Sequence, residues 1–388
     1  MPVKTFTLTS TLQDINQSEW QIGPEDVGGT AQGYRIRKRT LHGGLPDGVE
    51  VIEIDNGTFR FTVVPTRGMG IWKGWLGDVE IGFQSPVPGP VHPKFVNVGE
   101  ASGLGWLDGF DELLVRCGLE SNGAPEFDAE TGRLRYPLHG RIANKPAHFV
   151  EVSVDDETGE IKVVGVVDEV RFHFCRLRLT STITTSPGEQ GFRIVDEVTN
   201  LSGESREMQL LYHINFSQPL LDRGARFVAP IKTMVPKDAA TAKNMHAWNV
   251  YPAPTVGFTE EVYFFELLSD ARGQTMALLQ NSRGDLGVSV KFSTSSLPYF
   301  TLWKDTLAVE DGYVTGLEPA TNFPNARSYE ADQGRIIKLA SGETKRFEVA
   351  LKLYTDAQSV RSAEETIAAI QGATPQKIFD QPQKGWTP

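Results

Sequence analysis

Met208-Gln-Leu-Leu-Tyr-His-Ile-Asn-Phe216 is the segment whose side-chain pattern indicates most clearly how this chain folds. Successive side chains of a β-strand point to opposite faces of the sheet. As a strand, the segment has a largely apolar face made of Met208, Leu210, Tyr212, Ile214 and Phe216. Its other face, which fits a wet cleft, carries Gln209, Leu211, His213 and Asn215. The segment therefore predicts a strand that separates a core from a cleft.

Strand patterns of this kind recur along most of the chain. Phe59–Val64 follows an Asn56-Gly57 pair, which is a strong hairpin signal. Arg171–Ile183 also alternates, but its phase slips between Phe174 and Leu177, which predicts a β-bulge there. Further strands are predicted at residues 191–198, 262–267, 275–279, 288–292 and 347–353. The pattern predicts an all-β fold built as a large antiparallel sandwich with few short helices.

Helical patterns are sparse. Ser362 and Glu365 form a capping-box pattern, and Gly372 fits the end of the helix that would follow. A short helical turn is predicted at residues 108–114, and long loops at 84–110 and 117–137. We divide the chain into an N-terminal arm packing on the sandwich, a catalytic sandwich, and a C-terminal helix and tail, at residues 1–45, 46–356 and 357–388.

The composition limits the classes of function that fit the chain. Its 388 residues are 39% hydrophobic and carry a net charge of −11. Nucleic acids and anionic membranes require a cationic face, so neither is expected as a partner. No signal peptide, membrane span or Gly-rich phosphate loop is found, so we expect a cytoplasmic protein without a nucleotide site. Cys117 and Cys175 are too few for a disulfide framework and are expected to be buried thiols.

Two histidines and one carboxylate are the candidates for chemistry. Glu318 precedes Pro319, which favours an extended backbone, and it shares a face with Gly316, where a ligand can approach the backbone. Glu318 is therefore either a proton-transfer group or the ion-pair partner of an arginine such as Arg327. His213 is either an acid/base group or a hydrogen-bonded structural histidine. His139 is either a sugar ligand or a loop histidine without a role.

Other side chains are predicted to bind a polar ligand. Arg67 lies in a Gly-flanked turn, where its guanidinium can donate several hydrogen bonds. Arg141 follows His139 by two positions, so the two are presented in one turn. Trp72 and Trp303 are the preferred aromatic residues for stacking on the apolar face of a sugar. Asn215 shares the cleft face of His213 and is predicted to bind substrate with these residues, which gives the set Arg67, Trp72, His139, Arg141, Asn215 and Trp303.

Four motifs in this strand-rich chain resemble the galactose mutarotase-like superfamily, and among its members the aldose 1-epimerase family proteins. They are Val64-Pro-Thr-Arg-Gly-Met69, Arg116-Cys-Gly-Leu119, Leu138-His-Gly-Arg-Ile-Ala-Asn144 and Gly316-Leu-Glu-Pro319. The resemblance runs from about residue 50 to about residue 355. It implies a β-supersandwich with an open sugar-binding cleft.

The resemblance also implies a reaction, the interconversion of sugar anomers with ring opening. In that scheme His213 is the general acid and Glu318 is the general base, while His139 and Arg67 contact the sugar. Arg141 is similar to an arginine of relatives that act on sugar phosphates, although its offset differs. The Asn-Arg pair of the galactose enzymes is absent around Arg67, so galactose itself is not implied.

Three other functions fit the same residues. His139, His213 and Glu318 resemble a metal-binding triad, as in a metal-dependent sugar lyase or isomerase. Sandwich folds of this type also carry glycoside-cleaving enzymes. A non-catalytic carbohydrate-binding protein is the third possibility. The epimerase hypothesis comes first, and it requires no metal or organic cofactor. It expects a small-molecule sugar or sugar derivative as partner and a monomer or homodimer.

Overall fold

The computed structural model describes residues 3–388 and confirms the predicted all-β fold. The first half of the chain forms these strands: β1 Val3–Ser10, β2 Ile15–Asn16, β3 Trp20–Ile22, β4 Arg35–Thr40, β5 Glu50–Asp55, β6 Phe59–Val64, β7 Gly70–Leu76, β8 Val79–Ile81, β9 Leu114–Leu119, β10 Glu126–Phe127, β11 Leu134–Tyr136, β12 Phe149–Asp155 and β13 Ile161–Arg171. The second half forms these: β14 Cys175–Thr185, β15 Gly191–Asn200, β16 Arg206–Phe216, β17 Arg226–Val228, β18 Ile231–Pro236, β19 Glu261–Leu267, β20 Gln274–Gln280, β21 Gly287–Ser293, β22 Tyr299–Asp305, β23 Val314–Ala320, β24 Ile337–Leu339, β25 Thr344–Tyr354 and β26 Lys377–Ile378.

Helices are few, as predicted, but their bounds differ from the prediction. The α-helices are α1 Pro24–Val27, α2 Arg327–Asp332 and α3 Ala357–Gln371, and 3-10 turns occupy Pro93–Phe95, Gly105–Gly109, Ile142–Asn144, Thr241–Ala247 and Val309–Asp311. The predicted start of α3 at Ser362 is wrong. Asp356 caps the helix, because its side chain accepts hydrogen bonds from the backbone N–H groups of Gln358 and Ser359. Its predicted end at Gly372 is confirmed. The helical turn expected at residues 108–114 lies earlier, at Gly105–Gly109.

Two large sheets, and a small one in which β10 pairs with β11, make up the described residues. One has the strand order β17-β20-β21-β25-β15-β14-β13-β12-β1-β2. The other runs β26-β18-β19-β22-β23-β16-β9-β7-β6-β5-β4-β3, with β24 paired to β16 and β8 to β7. Neighbouring strands pair antiparallel except β18 and β26. Residues 3–40 thus enter both sheets through β1 and β4, and the C-terminal tail adds β26.

The hydrophobic core lies between these two sheets. It joins side chains of the first sheet, such as Val163 and Ile194, to side chains of the second, such as Phe61 and Tyr212. The predicted core face of β16 is confirmed, because Met208, Leu210, Tyr212, Ile214 and Phe216 all belong to this cluster. His213 therefore lies on the opposite, outer face of the second sheet.

A buried ion pair joins the two sheets within this core. Arg116 on β9 binds the carboxylate of Asp196 on β15, and neither side chain is exposed. Tyr212 and Ser181 complete the hydrogen bonding of the pair. A buried pair that keeps its polar atoms satisfied avoids most of the cost of desolvation.

The bulge predicted between Phe174 and Leu177 is wrong. Arg171 pairs with Cys175, so the segment is a hairpin whose loop is Phe172-His173-Phe174, with His173 at φ 68°. The slip in phase marks a reversal of the chain.

Cys117 and Cys175 are both buried free thiols, as expected. No helix within residues 3–388 is both long and apolar enough to cross a membrane.

Candidate active site

His213 and Glu318 form the centre of the site. They lie on the neighbouring strands β16 and β23, whose register places Ile214 opposite Leu317 and Asn215 opposite Gly316, so His213 and Glu318 are cross-strand neighbours. The Nε2 atom of His213 is 3.2 Å from Oε1 of Glu318, and the two side chains are only 5% and 3% exposed. A proton-accepting ring and a carboxyl group are therefore in direct contact in a nearly dry environment.

A cavity of about 280 Å³ adjoins this pair. Its wall is mostly apolar, from Leu104, Trp106, Leu107, Phe110, Ala124, Leu138, Val262, Trp303 and Pro324, and its polar groups are His139, Lys237, Glu260 and Thr301 besides the central pair. Ligand pockets commonly range over about 300–1,000 Å³. The cavity lies just below the lower end of this range, which fits one small molecule, and the lining fits one with both an apolar face and hydroxyl groups.

Aromatic rings enclose the imidazole of His213. The ring centroids of Phe110, Trp303 and His139 lie 5.0, 5.3 and 5.3 Å from it. The indole Nε1 of Trp303 donates to Oε2 of Glu260 at 2.8 Å, which holds the Trp303 ring at the rim. Lys237 also lies at the rim, 3.9 Å from the other oxygen of Glu260. Glu260 thus joins the cation and the indole at the cavity mouth.

The main chain and side chains behind the two histidines orient their rings. Nδ1 of His139 lies 3.0 Å from the carbonyl oxygen of Asn122. Because a carbonyl only accepts, Nδ1 of His139 carries the proton and Nε2 is left as an acceptor. Nδ1 of His213 lies 2.6 Å from Oδ1 of Asn215. His139 itself has φ 55°, a left-handed conformation that its Gly118 and Gly123 backbone hydrogen bonds maintain.

Burial controls the protonation of these groups. It raises the pKa of the Glu318 carboxyl well above its usual range, and the nearby Glu260 carboxylate adds to the rise. It lowers the pKa of His213 well below its usual range, with a further contribution from His139. Burial also lowers the pKa of His139, to about 4. All three groups are therefore favoured in their uncharged forms.

Residues 46–353 match the family described as a domain of unknown function, DUF4432. The chain belongs to this family. A solved structure from Klebsiella pneumoniae, provisionally described as an aldose 1-epimerase, is 35% identical with a TM-score of 0.94, and the match covers 98% of this chain and 99% of that one. Comparison with curated proteins found no match.

Two more distant structures are similar to this DUF4432 protein in fold only. A galactose mutarotase-like protein from Clostridium acetobutylicum is 16% identical over 88% of this chain and 100% of its own, with a TM-score of 0.57. A protein from Escherichia coli K12, also provisionally described as an aldose 1-epimerase, is 15% identical over 79% and 100%, with a TM-score of 0.53. The predicted galactose mutarotase-like fold is confirmed.

Four of the residues predicted from the sequence line the cavity of this DUF4432 protein: His139, His213, Trp303 and Glu318. The alternative partner for Glu318 is wrong, because Arg327 binds Glu207 and the carbonyl of Glu120. Gly316 lies beside the His213–Glu318 pair. The space above its backbone, where a ligand was expected to approach, is filled by the side chains of Glu318 and His213. Within residues 3–388, no group of three or more His, Cys, Asp or Glu side chains is arranged to hold a metal ion.

The structure does not bring Arg67, a predicted sugar contact, to the cavity. Its side chain is fully buried, and Nε binds Oε1 of Glu112 at 2.5 Å. The terminal nitrogens donate to the carbonyls of Val91 and Gly109 and to Oδ1 of Asn144. Arg67 therefore supports the loop that carries Trp106 and Phe110 from behind, and its donors are occupied by the protein.

Three further predicted ligands also lie outside the cavity. Trp72 donates its Nε1 to Asp111 at 2.8 Å and lines a separate groove. Arg141 is partly exposed and is not part of the cavity lining. Asn215 is fully buried and contacts Nδ1 of His213, so it orients the ring and does not line the cavity. Sequence spacing grouped these residues, but their strands and turns direct the side chains elsewhere.

Sequence reasoning missed several lining residues. Thr301 precedes Trp303 by two positions in β22, a spacing that places both side chains on one face of a strand. It lies directly across the strand pair from Glu318. Phe110, Lys237 and Glu260 lie in or beside loops, where no periodicity identifies a facing direction. Only the folded chain brings them to β16 and β23.

Proposed function

We propose that this protein is an aldose 1-epimerase-like isomerase that interconverts the anomers of a monosaccharide by general acid/base catalysis with ring opening. The observation that carries the proposal is the buried contact between His213 and Glu318 at the wall of a cavity of about 280 Å³. The 35% identical structure described provisionally as an aldose 1-epimerase supports the same reaction class.

The reaction requires two proton transfers, one at each of the two oxygens bound to C1. The anomeric hydroxyl loses its proton to a base, and the ring oxygen receives a proton from an acid, so the bond between C1 and the ring oxygen breaks. Rotation about C1–C2 then exposes the other face of the carbonyl, and closure gives the other anomer. Each positioned proton transfer contributes roughly 10²–10⁴-fold to a rate. His213 and Glu318 supply the acid and the base.

The remaining lining positions the sugar. The rings of Trp106 and Trp303 offer apolar faces to its C–H groups. His139 offers Nε2 as a hydrogen-bond acceptor for a hydroxyl, because its Nδ1 is bound to Asn122. Glu260 and Lys237 offer an acceptor and a donor at the rim. Arg67 and Arg141 lie outside the cavity, so a neutral sugar fits this lining better than a doubly charged sugar phosphate.

Proton NMR exchange of α and β anomers tests the proposal. We expect purified protein to accelerate exchange for at least one member of a panel of neutral aldoses, uronates and sugar phosphates. His213→Ala and Glu318→Gln should each lose roughly 10²-fold or more of that acceleration. His148→Ala is the matched control, because His148 contacts Asp168 at 3.3 Å in a partly exposed pair away from the cavity.

Two outcomes would overturn this function. Full exchange activity in either His213→Ala or Glu318→Gln would remove the pair from the reaction. Sugar binding by calorimetry without faster exchange in the wild-type protein would instead identify a carbohydrate-binding protein.

A further inference from the structure

Thr301 lies on the face of β22 that borders the cavity. Phe300 and Leu302, its neighbours along the strand, belong to the hydrophobic core between the two large sheets, so the side chain of Thr301 points to the opposite face. On that face it lines the cavity together with Trp303 and Glu318. Its side chain therefore belongs to the wall of the site.

The register of β22 and β23 makes Thr301 the cross-strand neighbour of Glu318. Residues directly opposite each other on one face of an antiparallel pair have Cβ atoms about 4.5–5.5 Å apart. On its other side, Thr301 pairs with Phe264 of β19, whose ring carries no polar atom. Of the two cross-strand neighbours of Thr301, only Glu318 is polar.

The hydroxyl of Thr301 is buried without a hydrogen-bond partner. The residue is only 1% exposed, and Oγ1 reaches no donor or acceptor within residues 3–388. A buried hydroxyl without a partner costs free energy that valine, which has nearly the same shape, does not cost. Packing therefore does not explain a hydroxyl here, whereas a ligand in the cavity can supply the missing partner.

The carboxyl group of Glu318 also has room for a further partner. Its one polar side-chain contact among the described residues is with Nε2 of His213, although a carboxylate has about four acceptor positions. A hydroxyl group donates one hydrogen bond and accepts others. A ligand hydroxyl that donates to Glu318 and accepts from Thr301 would therefore satisfy both side chains at once.

We propose that the hydroxyl of Thr301 donates a hydrogen bond to the anomeric oxygen of the sugar and is a further catalytic residue. This inference rests on the proposed function. With Glu318 as the base, as the family resemblance implies, the anomeric hydroxyl must lie within hydrogen-bond reach of its carboxylate. The cross-strand position of Thr301 places a donor beside the same oxygen.

The hydrogen bond from Thr301 gains strength as the ring opens. The anomeric hydroxyl passes its proton to Glu318, the bond between C1 and the ring oxygen breaks, and His213 protonates the ring oxygen. The anomeric oxygen carries part of a negative charge until its electron pair forms the C1 carbonyl, and a positioned donor stabilises that charge. Thr301 keeps its own proton throughout, so it forms and breaks no covalent bond.

Thr301→Val removes the hydroxyl while keeping the shape of the side chain. In proton NMR exchange we expect kcat to fall by roughly 10-fold or more, and to fall further than the affinity for the sugar, because the contact strengthens in the transition state. A full oxyanion-hole donor contributes about 10²–10³-fold, and the anomeric oxygen carries only part of such a charge.

Two variants serve as controls for this loss. Thr301→Ser keeps the hydroxyl and should retain most of the activity. Thr275→Val should leave the activity unchanged, because Thr275 is also 1% exposed, lacks a partner for its hydroxyl in the described part of the chain, and lies outside the cavity.

Thermal unfolding tests the missing partner without any sugar. Thr301→Val should melt no lower than the wild type, because it loses no hydrogen bond to the protein. Thr321→Val should melt lower, because the hydroxyl of Thr321 accepts from the backbone N–H of Leu210 at 2.9 Å. A Thr301→Val protein that melts as low as Thr321→Val, or does not fold, would show that the hydroxyl has a structural partner and would overturn the proposal.

An anhydroalditol, a cyclic sugar without the anomeric hydroxyl, identifies the oxygen that Thr301 contacts. Calorimetry compares it with the aldose of the panel that binds most tightly. Thr301→Val should bind that aldose more weakly than the wild type does, whereas the two proteins should bind the matching anhydroalditol equally. An equal loss for both ligands would place the contact elsewhere on the sugar and refute the assignment.

The outcomes separate this inference from the proposed function. Wild-type exchange that is unchanged in Thr301→Val refutes the role of Thr301 alone. Sugar binding without exchange refutes the function, and the comparison of the two ligands still decides whether Thr301 contacts the anomeric oxygen. A wild-type protein that neither binds nor exchanges any sugar overturns both.

Discussion

A Cβ atom built on Gly316 would lie 2.6 Å from Oε1 of Glu318. The same atom would lie 3.1 Å from Cε1 of His213 and 3.2 Å from the indole ring of Trp303. Glycine at this position is therefore a condition for the contact between the acid and the base. The absence of one methyl group lets three functional side chains pack over the backbone of β23.

Gly316→Ala should consequently reduce catalysis more than it reduces stability. The added methyl group displaces the Glu318 carboxyl, and a misplacement near 1 Å can lower a rate by about 10²-fold. We expect a loss of that order in anomer exchange, with a melting temperature close to that of the wild type. Gly203→Ala is the control, because a Cβ there meets no atom within 4 Å. Unchanged exchange in Gly316→Ala would show that the observed contact is not needed.

Replacing Arg67 should affect folding and leave sugar affinity nearly unchanged. Arg67→Gln leaves the Glu112 carboxylate buried without its partner, and breaking a buried pair costs about 3–5 kcal/mol. Urea unfolding should detect this loss. Arg193→Gln, which breaks an exposed pair with Glu348, should cost at most about 1 kcal/mol. A stable Arg67→Gln protein with weakened sugar binding would instead restore Arg67 as a ligand.

Trp303 should contribute mainly to binding. Trp303→Leu removes the aromatic face that lines the cavity and the hydrogen bond to Glu260. We expect the sugar dissociation constant to rise about 10-fold, which corresponds to about 1.4 kcal/mol. Trp75→Leu changes an indole in the separate groove and should leave the affinity unchanged. Calorimetric titration of both variants measures the difference, and equal affinities would remove Trp303 from the sugar site.

Asp111 should make the stability of the protein depend on pH. Burial, with the charge of Glu112 next, raises its pKa from 3.8 to about 8. Between these values the unfolded chain is ionised while the folded protein keeps the proton. The contribution of Asp111 to stability is therefore present below pH 3.8 and is lost as the pH rises toward 8.

Asp111→Asn mimics the protonated acid and removes this dependence. The difference in unfolding free energy between the variant and the wild type should grow in favour of the variant as the pH rises. Its slope has an upper limit of about 1.4 kcal/mol per pH unit. Parallel urea titrations across the range measure it, and a constant difference would contradict the raised pKa.

Part of the site was predictable because alternation along a strand is a local property. His213 and the core residues Tyr212 and Ile214 were assigned to opposite faces of β16, and the structure confirms the core face. Glu318 and Trp303 also lie on strands, and both line the cavity. The hairpin at Asn56-Gly57 follows from the same kind of local pattern.

Other features are not fixed by the local sequence, because a turn does not define the direction of its side chains. Arg67 lies in a Gly-flanked turn of the kind that binds ligands, yet its side chain points into the protein and binds Glu112. The slip in phase after Phe174 predicts a bulge, whereas pairing of Arg171 with Cys175 makes the segment a hairpin. A local slip is compatible with both, and only the partner strand distinguishes them.

By itself, the sequence determined the strands and the side of each strand that faces the core, because the two-residue period and the burial of apolar side chains are set by neighbours along the chain. The tertiary structure alone decided that β16 pairs with β23, that Glu318 meets His213, and that Trp106 and Glu260 close around them. These contacts join residues that lie up to about two hundred positions apart. They depend on the register of paired strands and on the paths of loops, which no local period encodes.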